Sequence, residues 1–304
     1  MSLDLRHELP FRIRAEGPFD PKKILVDYRS LRLPLNEKDK SEVDAIWSQH
    51  FEPYPDRYKN FPKVNINKVE VRDGLLNLGL LDTDYKTHIS LRRKYRQEGG
   101  HFRQYDAASG IEAVVVTADN RILLSQRAED IDDPGWMAVI SGGFFEPDEL
   151  KTAGPSVYNC FLRELEEEAG IEERDLVDCV VAGVIQEKMG SSTVVFITGT
   201  SLEAEEVLRR KTDGENHKFT VKNNPAEFID IVKSNLLILS DTNLGTLDLF
   251  IKQRFDQEYA QIYESLISDR LSEYKGLGVD RLEELRSRQV RNLTALVESN
   301  SDNS

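Results

Sequence analysis

The stretch GGFFEPDELKTAGPSVYNCFLRELEEEAGI, residues 142–171, decides how the rest of the chain is interpreted. Its second half predicts a helix that ends at Gly170, because glycine commonly follows a last helical turn. On that helix Glu164, Glu167 and Glu168 are three and four residues apart and share one face. Like charges at this spacing repel, and near a helix C-terminus they also oppose the helix dipole. A solvated acidic face is one interpretation, and a divalent cation that neutralises the three carboxylates is the other.

The segments around this stretch predict a mixed sheet. Two apolar runs, 111–118 and 121–127, flank an Asp-Asn turn and form a predicted hairpin. A third run, 136–141, leads directly into Gly142 and Gly143, whose bare backbone a metal or phosphate can approach. Further strands are predicted at 177–187, 192–201, 218–222 and 235–240. Strands before and after a helix indicate an α/β or α+β fold.

These residues resemble the signature of the Nudix hydrolase superfamily. Its named positions are filled by Gly143, Glu149 and the run RELEEEAGI at 163–171. Two features depart from it: thirteen residues, more than usual, separate Glu149 from Arg163, and Ser141 stands where proline usually precedes the glycine pair. The resemblance implies an α/β/α sandwich with a mixed sheet. It also implies a Mg²⁺-dependent enzyme, with Mn²⁺ as the alternative ion, that cleaves a nucleoside diphosphate linked to another group.

The resemblance implies roles for individual residues. The metal ligands would be Glu164, Glu167, Glu168 and the carbonyl of Gly142, since Mg²⁺ prefers oxygen ligands. Arg163 would hold the carboxylates by charge-assisted hydrogen bonds. One glutamate of this set, or an acid of a later loop, would be the general base. The predicted substrate contacts are Gly143, Phe144, Arg127, Glu187 and Lys188. Further candidates, each with an ordinary surface or core role as its alternative, are Tyr105, Trp136, Phe145, Glu146, Glu149, Glu215 and His217.

A narrower resemblance is to the animal Nudix enzymes that hydrolyse UDP-glucose and UDP-galactose. They have a comparable length, a stretched signature and a similar N-terminal portion, and the matching pieces here are 45–47, 61–63, 78–80 and 142–147. This implies release of UMP and a sugar 1-phosphate. ADP-ribose or a dinucleotide is the alternative substrate, because the signature contacts only metal and diphosphate. A non-catalytic Nudix-fold binding protein is an alternative of another class, although such proteins usually lack the signature glutamates.

The chain divides into three predicted parts. Residues 1–105 form an N-terminal α+β portion, 106–256 the Nudix domain, and 257–304 a helical extension with a disordered tail. In the first part strands are predicted at 11–16, 64–71 and 75–81 and helices at 37–51 and 85–97. Apolar residues at helical spacing predict helices at 246–275 and 280–298. We expect these helices to dock on the enzyme's own core, with a homodimer seam as the alternative.

The composition limits the remaining functions. A net charge of −14 over 304 residues argues against a general nucleic-acid binder, which needs a basic surface. Two cysteines, Cys160 and Cys179, make neither a disulfide framework nor a metal site. No signal peptide or membrane-spanning run is recognisable. We therefore expect a cytosolic enzyme, with the nucleus as an alternative location, acting on a small nucleotide-sugar molecule and on no membrane.

Overall fold

The chain is built around a mixed sheet in a computed structural model that describes residues 9–98, 107–128, 133–151, 156–188, 190–212, 214, 216–275 and 277–301. The strands are β1 Phe11–Phe19, β2 Leu25–Arg32, β3 Pro62–Arg72, β4 Leu75–Asp84, β5 Gly110–Val116, β6 Arg121–Arg127, β7 Met137–Val139, β8 Ser141–Phe144, β9 Leu176–Glu187, β10 Ser192–Thr200 and β11 Asn216–Lys222. The helices are α1 Glu37–His50, α2 Tyr85–Glu98, α3 Pro147–Leu150, α4 Ser156–Ala169, α5 Ala204–Arg209, α6 Pro225–Ser234, α7 Asp241–Arg254, α8 Gln257–Lys275 and α9 Val279–Ser301.

The main sheet follows the order β1-β9-β10-β5-β6-β11, with β8 paired to β5 and β7 paired to β6. Strands β10 and β5 run parallel, whereas β9, β6 and β8 are antiparallel to their neighbours. The predicted strand at 136–141 is therefore two short strands, one on each side of Ile140, which pair with different neighbours. This mixed sheet confirms the predicted fold class.

Residues on β5 alternate between the two faces of the sheet, as the period of a strand requires. Ala113 and Val115 belong to the core on one face, and Val114 belongs to the core on the other. Glu112 lies two residues before Val114 and so shares its face. Its charged side chain thus interrupts an otherwise apolar strand.

Helix α4 covers the first face of the sheet. Its Phe161 stacks on Phe196 of β10 at 4.3 Å between ring centroids, and Leu165 is fully buried beside them. The small sheet of the N-terminal portion extends the same core through Leu78 and Leu80. These contacts leave the opposite side of α4, with its glutamates, facing away from the apolar core.

Helices α7, α8 and α9 cover the second face. Phe250, Tyr263 and Leu293, one from each helix, are buried in the core that contains Val114. Helix α7 approaches β1 and β9 closely at Gly245, where a Cβ atom would stand 3.0 Å from the ring of Phe11. The C-terminal helices thus dock on the protein's own core, and a homodimer seam stays a prediction. No helix in the described part of the chain has the length and apolar character needed to cross a membrane.

The N-terminal portion contributes to both sheets. Its order β2-β4-β3 forms a separate small sheet, in which β3 and β4 make the predicted hairpin around Asp73 and Gly74. Strand β1, in contrast, pairs with β9 and forms one edge of the main sheet. The predicted boundary at residue 105 stays a prediction, and the strand order shows that the chain crosses it to complete the main sheet.

Two predictions at the C-terminal side are wrong. Residues 235–240 were predicted as a strand, but Leu236–Ile238 form a 3₁₀ turn that leads to Ser240, the N-cap of α7. The apolar run fills the core below α7 instead of pairing in the sheet, and a short apolar run cannot by itself distinguish these outcomes. The tail SNSDNS, residues 299–304, was predicted as disordered, but α9 continues to Ser301, and residues 302–304 lie outside the described part of the chain.

The helix predicted over 246–275 is in fact two helices. Helix α7 ends before Phe255, whose backbone is extended at φ −120° and ψ 176°, and α8 begins at Gln257. The ring of Phe255 contacts those of Phe250 and Phe228 edge-on. The break therefore turns an aromatic side chain into the core, and neither proline nor glycine marks it in the sequence.

Helix α9 offers a matched test of C-terminal docking. Val297 is 7% exposed and packs on the core, whereas Val279 in the same helix is 70% exposed. We expect Val297→Ala to lower the free energy of unfolding by about 2 kcal/mol, because two buried methyl groups lose their contacts. Val279→Ala should change it by less than about 0.5 kcal/mol. Urea unfolding followed by circular dichroism measures both, and equal effects would contradict the docking.

Candidate active site

The glycine pair and helix α4 are in direct contact. Gly143 lies in β8, and a Cβ atom there would stand only 1.9 Å from the Glu164 carboxylate oxygen Oε1. Glu164 is only 9% exposed and therefore has little room to move away. Any side chain at position 143 would displace this carboxylate, which explains in steric terms why glycine stands here.

Glu168 makes a second contact between helix α4 and the glycine pair of β8. Its Oε2 accepts a 2.7 Å hydrogen bond from the backbone N–H of Gly142, and its Oε1 accepts a 3.0 Å bond from Asn216 Nδ2. The side chain is 7% exposed. Strand β11 therefore holds the last turn of α4 against β8 through Asn216, a residue that sequence reasoning missed.

Arg163 contacts three carboxylates, those of Glu149, Glu164 and Glu167. Its Nε donates to Glu149, and its Nη1 lies 2.8 Å from Glu164 Oε1 and 2.9 Å from Glu167 Oε2. The guanidinium thus makes the charge-assisted hydrogen bonds expected from the sequence. It gathers two glutamates of the α4 face and one from the preceding turn.

Glu149 has a structural position despite the lengthened signature. It is the third residue of α3, where its carboxylate accepts from the backbone N–H of Glu146 and from the thiol of Cys160. Burial alone would raise the pKa of Glu149, but the hydrogen bonds from Arg163, Cys160 and Glu146 lower it below its usual value. Of the extra residues, 152–155 lie outside the described part of the chain.

The donor set fits a divalent cation in kind. Burial raises the pKa of Glu164 to about 7, with Glu167 and Glu149 adding repulsion, while Arg163 opposes the shift. A cation would stabilise this desolvated carboxylate in its charged form. In the described residues, however, no three acidic, histidine or cysteine side chains converge on one metal position. Glu164 and Glu167 point to Arg163, and Glu168 points to Gly142 and Asn216.

A cavity of about 450 Å³ opens beside Glu168 and the glycine pair. Of the predicted site residues it is lined by Arg127, Gly142, Gly143, Phe144, Glu168 and Glu187, together with Trp136. Its volume lies within the range of about 300–1,000 Å³ that small-molecule sites usually have. The structure therefore brings most of the predicted substrate contacts to one place.

Several candidates lie elsewhere. Lys188 is not part of the cavity wall, and its backbone N–H bonds to Pro10. Phe145 is fully buried in the core, and His217 is exposed on β11. Glu146 pairs with Lys63 at 3.4 Å. Tyr105 and Glu215 lie outside the described residues.

The cavity is also lined by residues that precede and follow the signature in sequence and that sequence analysis did not identify. Residues Arg57, Tyr58, Tyr85, His88, Ile89 and Arg92 come from the N-terminal portion, and Ser240, Thr242 and Asn243 come from the start of α7. The His88 ring meets Phe144 edge-on at 5.0 Å, and Arg92 Nη2 lies 3.4 Å from Asp133. No local sequence signal marks these residues, because only the tertiary fold brings them to the cavity.

Glu112 is the one missed residue with a signal in the sequence, since it is a lone acid in the strand GIEAVVV. It lines the cavity beside Gly142, its register partner on β8. Burial raises the pKa of Glu112 to about 7, against hydrogen bonds from Thr246, Thr242 and Asn243, with Glu187 adding repulsion. A second carboxylate of perturbed pKa thus lies in the cavity outside α4.

Comparison with known families matches the NUDIX domain to residues 108–225, and comparison with curated proteins gives no match. Among solved structures the chain is similar to a NUDIX hydrolase from Nitrosomonas europaea, at 15% identity over 50% of this chain and 93% of that one, with a TM-score of 0.33. It is also similar to MutT of Aliivibrio salmonicida and Vibrio cholerae, at 14% identity over 53% of this chain and 98% of that one, with a TM-score of 0.30.

A third similar structure is a bifunctional NMN adenylyltransferase/ADP ribose pyrophosphatase from Francisella tularensis, in complex with AMP and a manganese ion. Identity is 14% over 55% of this chain, which spans 46% of that protein, and the TM-score is 0.36. The matched family range 108–225 contains the glycine pair, Arg163 and the three α4 glutamates. Residues 108–225 of this chain therefore match the NUDIX domain, with the signature residues inside the matched range.

Proposed function

We propose that the enzyme hydrolyses the diphosphate bond of a UDP-sugar, such as UDP-glucose or UDP-galactose, with Mg²⁺ as its metal and UMP and sugar 1-phosphate as its products. The observation that carries the proposal is the position of Glu168 and the glycine pair on the wall of a nucleotide-sized cavity that also contains Arg127. Of the three glutamates proposed to bind the cation, Glu168 therefore faces the same space as an arginine suited to phosphate oxygens.

Glu164, Glu167 and Glu168 would hold the cation, with the Gly142 carbonyl as a further ligand. When bound, the cation neutralises charge that develops on the diphosphate. Arg163 would keep Glu149 beside the site after its other partners turn to the metal. A water molecule would lose its proton to a carboxylate at the cavity wall, where Glu168 and Glu187 are both present.

Other residues that line the cavity could contact the parts of such a substrate beyond its diphosphate. Tyr58, Tyr85 and Trp136 offer aromatic faces for a base, and Arg57 and Arg92 add positive charge. These features also suit ADP-ribose or a dinucleotide, and the narrower resemblance to UDP-sugar enzymes is the reason for preferring UDP-sugars. A cytosolic location and a small-molecule partner belong to the same proposal.

A substrate panel tests the preference. With Mg²⁺ present we expect release of UMP from UDP-glucose or UDP-galactose at a kcat/KM above that for ADP-ribose and for dinucleotides. Chromatography of the nucleotide products gives both rate and cleavage position. Cleavage of ADP-ribose without cleavage of either UDP-sugar would overturn the UDP-sugar assignment and leave diphosphate hydrolysis in place.

Two substitutions in α4, one at a proposed metal ligand and one at a control position, test metal binding. Glu168 faces the cavity, whereas Glu166 is exposed on the same helix and lines no part of it. We expect Glu168→Gln to lower kcat/KM by about 100-fold or more, because several kcal/mol of charge stabilisation depend on the metal. It should also weaken Mn²⁺ binding, followed by electron paramagnetic resonance, by at least about 10-fold.

Glu166→Gln removes the same charge from the same helix and should leave turnover and Mn²⁺ binding unchanged. Equal Mn²⁺ affinity in both variants would show that Glu168 is not a metal ligand. Absence of any turnover by the unmodified enzyme, despite normal Mn²⁺ binding, would favour the non-catalytic binding protein, whose only support is the fold.

Gly143→Ala tests the contact between β8 and α4. The added Cβ would overlap the Glu164 carboxylate, so we expect a loss of Mn²⁺ affinity of about 10-fold or more together with a lower kcat. Gly278→Ala is the control, because a Cβ atom at this position would meet no atom within 4 Å. Unchanged Mn²⁺ binding in Gly143→Ala would contradict the proposed role of Glu164.

A further inference from the structure

Glu112 is held as a rigid acceptor at the cavity wall. Asn243 Nδ2 donates to its Oε1 at 2.8 Å, and Thr246 Oγ1 donates to its Oε2 at 2.5 Å. Asn243 is itself fixed, because its Oδ1 accepts from the backbone N–H of Val139 at 3.0 Å. Helix α7 thus orients both oxygens of a carboxylate that lies on β5, on the opposite side of the sheet from α4.

A structural role alone does not explain a carboxylate at this position. No lysine or arginine among the described residues forms an ion pair with Glu112, and the nearby charge that influences it is Glu187, of the same sign. A glutamine would satisfy α7 without this repulsion. The side chain is partly exposed, and the space it faces is the cavity. Its two oxygens offer about four acceptor positions, and the donors of α7, which are Asn243, Thr246 and Thr242, do not fill all of them.

The remaining acceptor positions of Glu112 indicate which chemical group of a ligand can bind there. An oriented carboxylate accepts hydrogen bonds and repels phosphate, so its partner must bring neutral donors. Two adjacent oxygens match two adjacent hydroxyls, and dinucleotide-binding folds use a carboxylate in this way for ribose hydroxyls. Glu112 lies beside Gly142, whose N–H bonds to Glu168, so its partner lies next to the proposed diphosphate position.

We propose that Glu112, oriented by Asn243 and Thr246, binds a vicinal hydroxyl pair on the sugar next to the diphosphate and so selects substrates at this position. The proposal rests on the proposed diphosphate hydrolysis. The hydroxyl pair has two sources, the ribose of the nucleotide and the sugar on the other side of the diphosphate.

Substrate analogues distinguish these sources. We compare UDP-glucose with one analogue that lacks the ribose 2′-hydroxyl and one that lacks the hexose 2-hydroxyl. The unmodified enzyme should lose about 10- to 100-fold in kcat/KM on one of them, as expected for a hydrogen bond to a charged group. Glu112→Gln should lose a similar factor on UDP-glucose, mainly through KM, and should no longer discriminate against that analogue.

Two further variants keep the result interpretable. Thr246→Val removes one orienting hydroxyl but leaves the carboxylate, so its discrimination should lie between those of the unmodified enzyme and Glu112→Gln. Glu166→Gln should discriminate as the unmodified enzyme does. Undiminished discrimination in a folded Glu112→Gln, checked by circular dichroism, would overturn the proposal. An equal loss on all three substrates would also overturn it and assign Glu112 to packing.

A binding experiment tests the hydroxyl site even if the proposed hydrolysis does not occur. If UDP-glucose is not cleaved at all, calorimetry with Mg²⁺ compares UMP with deoxy-UMP, and glucose 1-phosphate with its 2-deoxy analogue. Preference for the hydroxylated member of one pair, abolished in Glu112→Gln, would support the hydroxyl site without turnover. Equal binding within both pairs by the unmodified protein would overturn it.

Discussion

The contact between β8 and α4 is the constraint on which the site depends. The N–H of Gly142 bonds to Glu168, and the missing side chain of Gly143 leaves the space that the Glu164 carboxylate occupies. Strand β8 is in turn paired to β5, the strand that runs parallel to β10 in the middle of the sheet. The acidic face of a helix is thereby fixed against the most buried part of the fold, where carboxylates cannot reorient freely. Burial gives Glu164 its raised pKa, and the same burial makes a cation at this place more stabilising than it would be in water.

Arg163 offsets the electrostatic repulsion among the carboxylates that surround it. Three carboxylates, those of Glu149, Glu164 and Glu167, surround one guanidinium. Without it, the repulsion within α4 would be uncompensated in a partly buried environment. One positive charge compensates only part of the negative charge of three ionised carboxylates, so the group as a whole stays acidic. A divalent cation bound at this face would supply the positive charge that the single guanidinium leaves uncompensated.

How far the sequence predicts such a site depends on whether its parts are local. The run at 163–171 contains its own helical spacing and terminating glycine, so the α4 face and the Arg163 contacts were predictable. The strands of the main sheet followed from apolar alternation. The run 235–240 failed because a buried 3₁₀ turn and a buried strand have the same apolar composition. Asn216, His88 and Asn243 lie far from the signature in sequence and carry no periodic pattern, so only the strand order and helix docking bring them to the cavity.

The residues that line the cavity come from two kinds of segment, the signature and the parts of the chain that flank it. The signature supplies Glu168 and the glycine pair, while α2 supplies His88 and Arg92 and the start of α7 supplies Asn243. Because β1 completes the main sheet and α7 to α9 cover one of its faces, these flanking parts cannot be removed without exposing the core. Because these parts are packed into the core, they hold their side chains in fixed places, which recognition of a substrate requires. In the proposed function the signature would act on the diphosphate, and the flanking elements, which lie outside it in the sequence, would contact the attached groups.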